Sequence, residues 1–202
     1  ATERHIIRAY ANKARGVFRE EPRLVGFWSE LLGLGAEAVR ELLRNPPAFE
    51  EAVRSRLVKR GGVGYVRPSP RSFPTVEEFS AWVRSCGGVP MITWLDGTSD
   101  GEADARKLLN LMQERGGAAL NIIPDRNWNL KDAAAAAVKR AKLAEIVTEA
   151  AARGLPINVG TEMNKLGLPF VDDLAGQVLR NYRESFLSGA RIMVGHALLA
   201  RY

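Results

Sequence analysis

The sequence predicts an α/β fold: a segment of a parallel (β/α) barrel of the TIM-barrel type, with at least five strands and a helical N-terminal block. Three observations predict it. Short apolar runs alternate with helical patterns, glycines close most of these helices, and 46% of the 202 residues are hydrophobic. Because a helix returns the chain to the same end of the sheet, strands joined in this way lie parallel.

Five short runs rich in apolar or β-branched residues are the predicted strands. They cover residues 63–67, 89–95, 118–124, 155–161 and 190–195. Thr75 and Glu78 form a capping box that begins one intervening helix, and alanines dominate another over residues 133–153. Each of the last four runs follows a helical stretch that ends at glycine, which is the order of repeated βα units.

The first 60 residues differ from the rest because they contain four amphipathic helical patterns. Pro46-Pro47 begins the fourth helix, since proline is well tolerated in a first helical turn. We interpret residues 1–60 as a helical block or insertion within a single domain of residues 1–202. Residues 61–202 then carry the strand–helix repeats. The full 202 residues fall short of the roughly 250 residues of a closed eight-stranded barrel.

The composition argues against a disulfide-bonded protein, a membrane protein and a nucleic-acid-binding protein. The single cysteine, Cys86, excludes an intramolecular disulfide and fits a reducing compartment. No apolar run is long enough to span a membrane and no signal peptide is visible, so we expect a cytoplasmic protein without a membrane partner. The net charge is +6, but basic residues alternate with acidic ones along the helices. This pattern favours a solvated surface over a nucleic-acid interface, and it leaves homo-oligomerisation open.

Acidic residues follow three of the predicted strands. In a parallel α/β sheet the ligand binds at the carboxyl ends of the strands. Asp96, Asp125 and Glu162 each follow a strand, and His196 follows the last one. Neighbouring carboxylates repel one another unless a cation or a shared proton joins them. We therefore predict Glu162, Asp125 and Asp96 as catalytic groups, and Glu162, His196 and Asp125 as ligands of a divalent metal (Mn²⁺, Zn²⁺ or Mg²⁺).

Structural roles remain open for most of these residues. Asp96 precedes a glycine, which is a turn signal, and Asp125 can pair with Arg126. His196 can cap a helix instead of binding a metal. Glu162 has no local partner, so a functional role is favoured for it.

Basic and amide side chains near the same strand ends predict a small anionic substrate. The predicted substrate-binding residues are Arg126, Lys165, Arg67 and Asn164. Guanidinium and ammonium groups bind phosphate or carboxylate through charge-assisted hydrogen bonds.

Several of these motifs resemble one known family. Cys86-Gly87-Gly88-Val89-Pro90, the Leu95-Asp96-Gly97 turn, Ile123-Pro124-Asp125-Arg126-Asn127 and Gly160-Thr161-Glu162-Met163-Asn164 resemble the PHP-domain proteins. These proteins are metal-dependent phosphoesterases and related hydrolases with a TIM-barrel-like fold. The resemblance covers roughly residues 60–200. It implies a divalent metal and hydrolysis of a phosphoester or, as the second choice, of an amide.

The chain departs from the family's pattern in two motifs. The opening His-x-His signature, which supplies metal ligands in the family, is not in this sequence, and Met163 stands where related sequences offer a histidine. The family's barrel also needs more strands than the five predicted here. We expect either that earlier strands precede Ala1 or that the chain is a remnant without metals.

The alternative function is non-catalytic: a barrel protein that binds an anionic metabolite. An in-frame His-x-His upstream of Ala1 would favour the enzyme. The sharpest expectation for the enzyme is that Glu162 shares a cleft with Asp125 or Asp96, within reach of His196. Glu162→Gln should then abolish turnover or weaken metal binding, with little change in thermal stability.

Overall fold

The computed structural model describes residues 2–161 and 170–200. The chain divides into two compact units, residues 1–73 and residues 74–202, and each has its own hydrophobic cluster. In the described part of the chain, no helix is both long enough and apolar enough to cross a membrane.

The first unit is helical. Its helices are α1 (Glu3–Val17), α2 (Glu21–Leu32), α3 (Ala36–Arg44) and α4 (Pro46–Val53), which continues into a π-helical turn (Arg54–Val58). Their apolar faces meet around Trp28, whose ring packs edge-on against Phe49 with ring centres 4.9 Å apart. Ion pairs join the outer faces, and the most buried carboxylate among them is Glu50, which accepts a hydrogen bond from Arg8 at 2.8 Å.

The second unit is built on a small parallel sheet. Its strands are β1 (Met91–Trp94), β2 (Ala119–Ile122) and β3 (Ile157–Val159), in the order β1-β2-β3. Both pairs are parallel, with Met91 opposite Ala119 and Leu120 opposite Ile157. The carboxyl ends of all three strands therefore lie at one end of the sheet.

Helices connect and cover these strands. They are α5 (Val76–Ser85), α6 (Ala105–Glu114), α7 (Asp125–Trp128), α8 (Ala133–Ala152) and α9 (Arg183–Leu199), with a 3₁₀ turn (Arg180–Tyr182) before α9. Side chains cap the N-termini of three of these helices by accepting hydrogen bonds from backbone N–H groups of the first turn. The capping residues are Thr75 before α5, Asp104 before α6 and Asp132 before α8.

One face of the sheet forms the core of the second unit. Ile92, Leu120 and Ile157 are buried together with Leu109 of α6 and Ile146 of α8. Alternate residues of a strand point to opposite faces, so Asn121 and Asn158 lie on the other face. The Asn158 Nδ2 atom donates a hydrogen bond to Asn121 Oδ1 at 2.7 Å, which links β2 and β3 through their side chains.

The predicted barrel of at least five strands is wrong. Within the described residues the sheet has three strands and does not close. Residues 63–67 are irregular and exposed, with Val63 88% and Val66 84% accessible, because no neighbouring strand covers them. Residues 190–195 lie inside α9. Their apolar run fits a helix as well as a strand, because periodicity cannot distinguish a helix from a strand in so short a run.

Helix α9 lies against the outer edge of β3. A Cβ atom built on Gly189 would stand 1.9 Å from the carbonyl oxygen of Ile157, so only glycine allows this approach. The helix thus covers backbone that would pair with a further strand in a barrel.

Candidate active site

The ends of β1 and β2 are held together by one buried amide. Asn127 is fully buried, and its Nδ2 atom donates to the carbonyl oxygens of Leu95 at 3.1 Å and Ile123 at 3.3 Å. These carbonyls belong to the residues that directly follow the two strands. Because one side chain fixes both, the loops after β1 and β2 leave the sheet side by side.

Asp172 carries a buried carboxylate near α7, the short helix that follows β2. The residue is 5% exposed, and neither carboxylate oxygen accepts a hydrogen bond from the described residues. Burial raises the pKa of Asp172 above its ordinary value, and the negative charge of Asp125 raises it further. The indole N–H of Trp128 is near the carboxylate but outside normal hydrogen-bond geometry. It lowers the pKa of Asp172 by less than burial and Asp125 raise it.

Asp125 supplies the second carboxylate. It is the first residue of the short helix α7, it is half-buried, and its Oδ1 atom accepts a hydrogen bond from Asn129 Nδ2 at 2.9 Å. Its other carboxylate oxygen has no such partner among the described residues. The end of β2 and the segment that precedes α9 therefore bring two carboxylates together, one of them buried. Such a pair can share a proton or bind a cation.

The structure gives Asp96 partners of a different kind. Its carboxylate forms an ion pair with Lys139 of α8 at 2.8 Å and accepts hydrogen bonds from the backbone and hydroxyl of Thr98. Although burial opposes it, these hydrogen bonds lower the pKa of Asp96 below its ordinary value. The carboxylate is thus occupied in anchoring the loop after β1 to α8.

Glu102 closes the same loop. Its carboxylate accepts hydrogen bonds from the backbone N–H groups of Leu95 at 2.8 Å, Gly97 at 3.2 Å and Asp96 at 3.4 Å. The carboxylates of Asp96 and Glu102 therefore hold the loop after β1 in place, since both accept hydrogen bonds from its backbone. This structural role replaces the catalytic role predicted for Asp96.

The remaining predicted residues are distributed as follows. His196 is exposed in the last turns of α9 and does not follow a strand, which corrects the expected position. Arg67 is exposed in the irregular segment of the first unit. Arg126 lies in α7 next to Asp125 and is half-buried. Glu162, Asn164 and Lys165 lie outside the described residues.

The orientation of α9 separates His196 from the carboxylate pair. Arg183, at the start of α9, lines a cavity with Val159 near the end of β3. Ile192, further along α9, lines another cavity with Gly154 and Leu155, which precede β3. The helix therefore runs from the carboxyl end of β3 towards its amino end, and His196 lies beyond Ile192.

Sequence reasoning missed Asp172. The rule for parallel sheets selects residues that directly follow a strand, whereas Asp172 lies in an irregular segment before α9. The available signal is weak: two adjacent aspartates with apolar neighbours, Val171 and Leu174. Nothing in that pattern indicates which aspartate is buried.

In the part of the chain that the structure describes, no three His, Cys, Asp or Glu side chains converge as a full set of metal ligands. Asp125 and Asp172 form a pair of acidic groups. No protein-family model, curated protein or solved structure matches the chain. The functional assignment therefore depends on the chemistry of this pair.

Proposed function

We propose that the protein is a metal-dependent hydrolase of a phosphoester, with Asp125 and Asp172 in its active site at the carboxyl end of the sheet. One observation carries the proposal: a carboxylate that is 5% exposed, has no hydrogen-bond partner among the described residues, and is close enough to a second carboxylate to feel its charge. A buried charge without a partner is unfavourable for folding, so such groups are concentrated at functional sites.

The two carboxylates fit a divalent cation. A cation between them would offset both the repulsion and the burial of Asp172. Carboxylate oxygens are the ligands preferred by Mg²⁺ and Mn²⁺, whereas zinc sites more often include histidine or cysteine. Since His196 lies on the far part of α9, Mg²⁺ or Mn²⁺ suits this pair better than Zn²⁺. Glu162, which follows Thr161 in the chain, stays the predicted third carboxylate.

When bound, such an ion lowers the pKa of a water molecule and polarises a phosphoryl oxygen. The protein's own groups prepare the site. Asn129 donates a hydrogen bond to one oxygen of Asp125, and the other oxygen would be available to hold the ion. Trp128 and the burial of Asp172 exclude water, which strengthens electrostatic interactions there. Because Asp172 must lose its proton to bind the ion, we expect metal affinity to fall as the pH is lowered.

The test is hydrolysis of p-nitrophenyl phosphate by the purified chain, with Mg²⁺ or Mn²⁺ and with a chelator. Asp172→Asn and Asp125→Asn should each lower the rate by about 100-fold or more, since even indirect changes at metal sites reach 10–100-fold. Asp173→Asn is the matched control, because Asp173 is adjacent but exposed. Hydrolysis that is indifferent to the chelator, or that survives Asp172→Asn, would contradict the proposal.

A further inference from the structure

A cavity of about 170 Å³ lies between β3 and the first turns of α9. Its lining is mainly apolar, and it includes two polar residues, Asn158 and Arg183. The apolar lining includes Val159, Leu174, Phe186 and Leu187. A cavity of about 150 Å³ with walls of this kind accepts a benzene ring. The volume is therefore sufficient for a ring of that size.

Arg183 gives this cavity its charge. Arg183 is an exposed residue at the cavity, and its side chain makes no hydrogen bond or ion pair with the described residues, whereas Arg106 and Arg153 of the same unit both bind Glu149. Glu184, the next residue, lines a different cavity. Arg183 also begins α9, a helix of 17 residues whose N-terminal end favours negative charge. An unpaired guanidinium at this position is complementary to a phosphate or carboxylate.

Asn158 also lines the cavity. Its side chain is held towards β2, because its Nδ2 atom donates a hydrogen bond to Asn121 Oδ1 at 2.7 Å. The cavity thus combines an apolar lining with one cationic residue, Arg183.

One wall of the cavity is a close neighbour of Asp172 in the chain. Leu174, which forms part of its wall, donates its backbone N–H to the carbonyl oxygen of Asp172 at 2.9 Å. We infer that this cavity recognises the substrate of the proposed hydrolase, and that the substrate is the phosphate monoester of a small aromatic alcohol. The ring enters the apolar interior and Arg183 binds the phosphate. The inference rests on the proposed function only for calling the ligand a substrate.

Binding is tested by calorimetry with phenyl phosphate, inorganic phosphate and phenol, in the presence of a chelator so that no metal contributes. Phenyl phosphate should bind more tightly than either fragment. Arg183→Gln should weaken phenyl phosphate binding by about 10-fold or more, the range of a charge-assisted hydrogen bond. Arg191→Gln is the matched control, because Arg191 is exposed on the same helix, as Arg183 is, but does not line this cavity. Ala190→Leu, which places a larger side chain in the cavity wall, should weaken phenyl phosphate binding and leave inorganic phosphate unaffected.

Two results would overturn the inference: unchanged phenyl phosphate affinity in Arg183→Gln, or equal affinities for phenyl phosphate and inorganic phosphate. Failure of the proposed function looks different. If the wild-type protein binds phenyl phosphate through Arg183 but does not hydrolyse it with Mg²⁺ or Mn²⁺, the cavity assignment holds and the hydrolase proposal fails.

Discussion

The buried carboxylate of Asp172 makes folding stability depend on pH. Its pKa in the folded protein is raised above the ordinary value of 3.8. A raised pKa means that the folded state binds the proton more tightly than the unfolded state does. The resulting stabilisation is fully present below the ordinary pKa and is lost as the pH rises through the folded pKa. At neutral pH, and without a cation, Asp172 therefore destabilises the fold.

Asp172→Asn removes this charge while keeping the shape of the side chain. We expect the variant to have a higher Tm than the wild type at pH 7 in the presence of a chelator. The difference should shrink as the pH approaches 4, where the wild-type carboxyl is increasingly protonated. Thermal unfolding of both proteins across this pH range measures it, with the exposed Asp173→Asn as control. A lower Tm for Asp172→Asn at pH 7 would show that Asp172 has a stabilising partner.

Asp96 should behave in the opposite way. Its ion pair with Lys139 is partly buried, with side-chain exposures of 14% and 22%. Asp96→Asn should therefore lower the free energy of unfolding by about 1.5–3 kcal/mol, the range of a hydrogen bond to a charged group. In a double-mutant cycle, Lys139→Met combined with Asp96→Asn should destabilise less than the sum of the single changes. Additive effects would mean that the pair contributes nothing to stability.

At the scale of elements, α9 depends on two glycines with different surroundings. Gly189 touches the Ile157 backbone, whereas a Cβ atom on Gly195 would meet nothing within 4 Å. Gly189→Ala should destabilise the protein by about 1–3 kcal/mol or more, because a methyl group has no room there. Gly195→Ala, on the same helix, should stabilise it by about 0.5–1 kcal/mol. Chemical denaturation measures both. Equal effects of the two substitutions would show that α9 does not rest on β3.

The same elements show what the sequence can predict. Residues 89–95, 118–124 and 155–161 contain β1, β2 and β3, because buried strands read as short apolar runs between glycine stops. Residues 63–67 also contain β-branched and aromatic residues but form no strand in the structure. Strand propensity mainly measures how well a residue packs on a neighbouring strand, and residues 63–67 have no neighbouring strand among the described residues. The run within α9 was misassigned because its length suits either structure.

The candidate site was predictable only in part. The rule that ligands bind at the carboxyl ends of strands selected Asp125. It could not show that Asp96 would be held by Lys139, since the partner is 43 residues away in sequence. Nor could it identify Asp172, which lies in the connection after β3, or Arg183, which begins α9, because both positions depend on how these segments pack. Long-range packing, which leaves no local pattern, decides these positions.

At the scale of the whole molecule, two units with separate hydrophobic clusters are joined by a segment without regular structure. Residues 59–75 contain neither helix nor strand, and most of their side chains are exposed. Exposed irregular segments are cut first by proteases. Limited trypsin digestion should therefore cleave first after Arg60 or Arg71, and the fragment that follows the cut should resist longer. A first cleavage within α8, which also contains lysines and an arginine, would contradict this division.

The central claim is that Asp125 and Asp172 bind a divalent cation, and a titration with Mn²⁺ followed by electron paramagnetic resonance tests it most directly. The signal of free Mn²⁺ reports how much of the added ion the protein removes from solution. We predict that the wild-type protein and Asp173→Asn bind Mn²⁺ at neutral pH, that Asp172→Asn and Asp125→Asn bind it at least about 10-fold more weakly, and that acid weakens binding to the wild type. Equal Mn²⁺ binding by the wild type and Asp172→Asn, or none by the wild type, would contradict the claim.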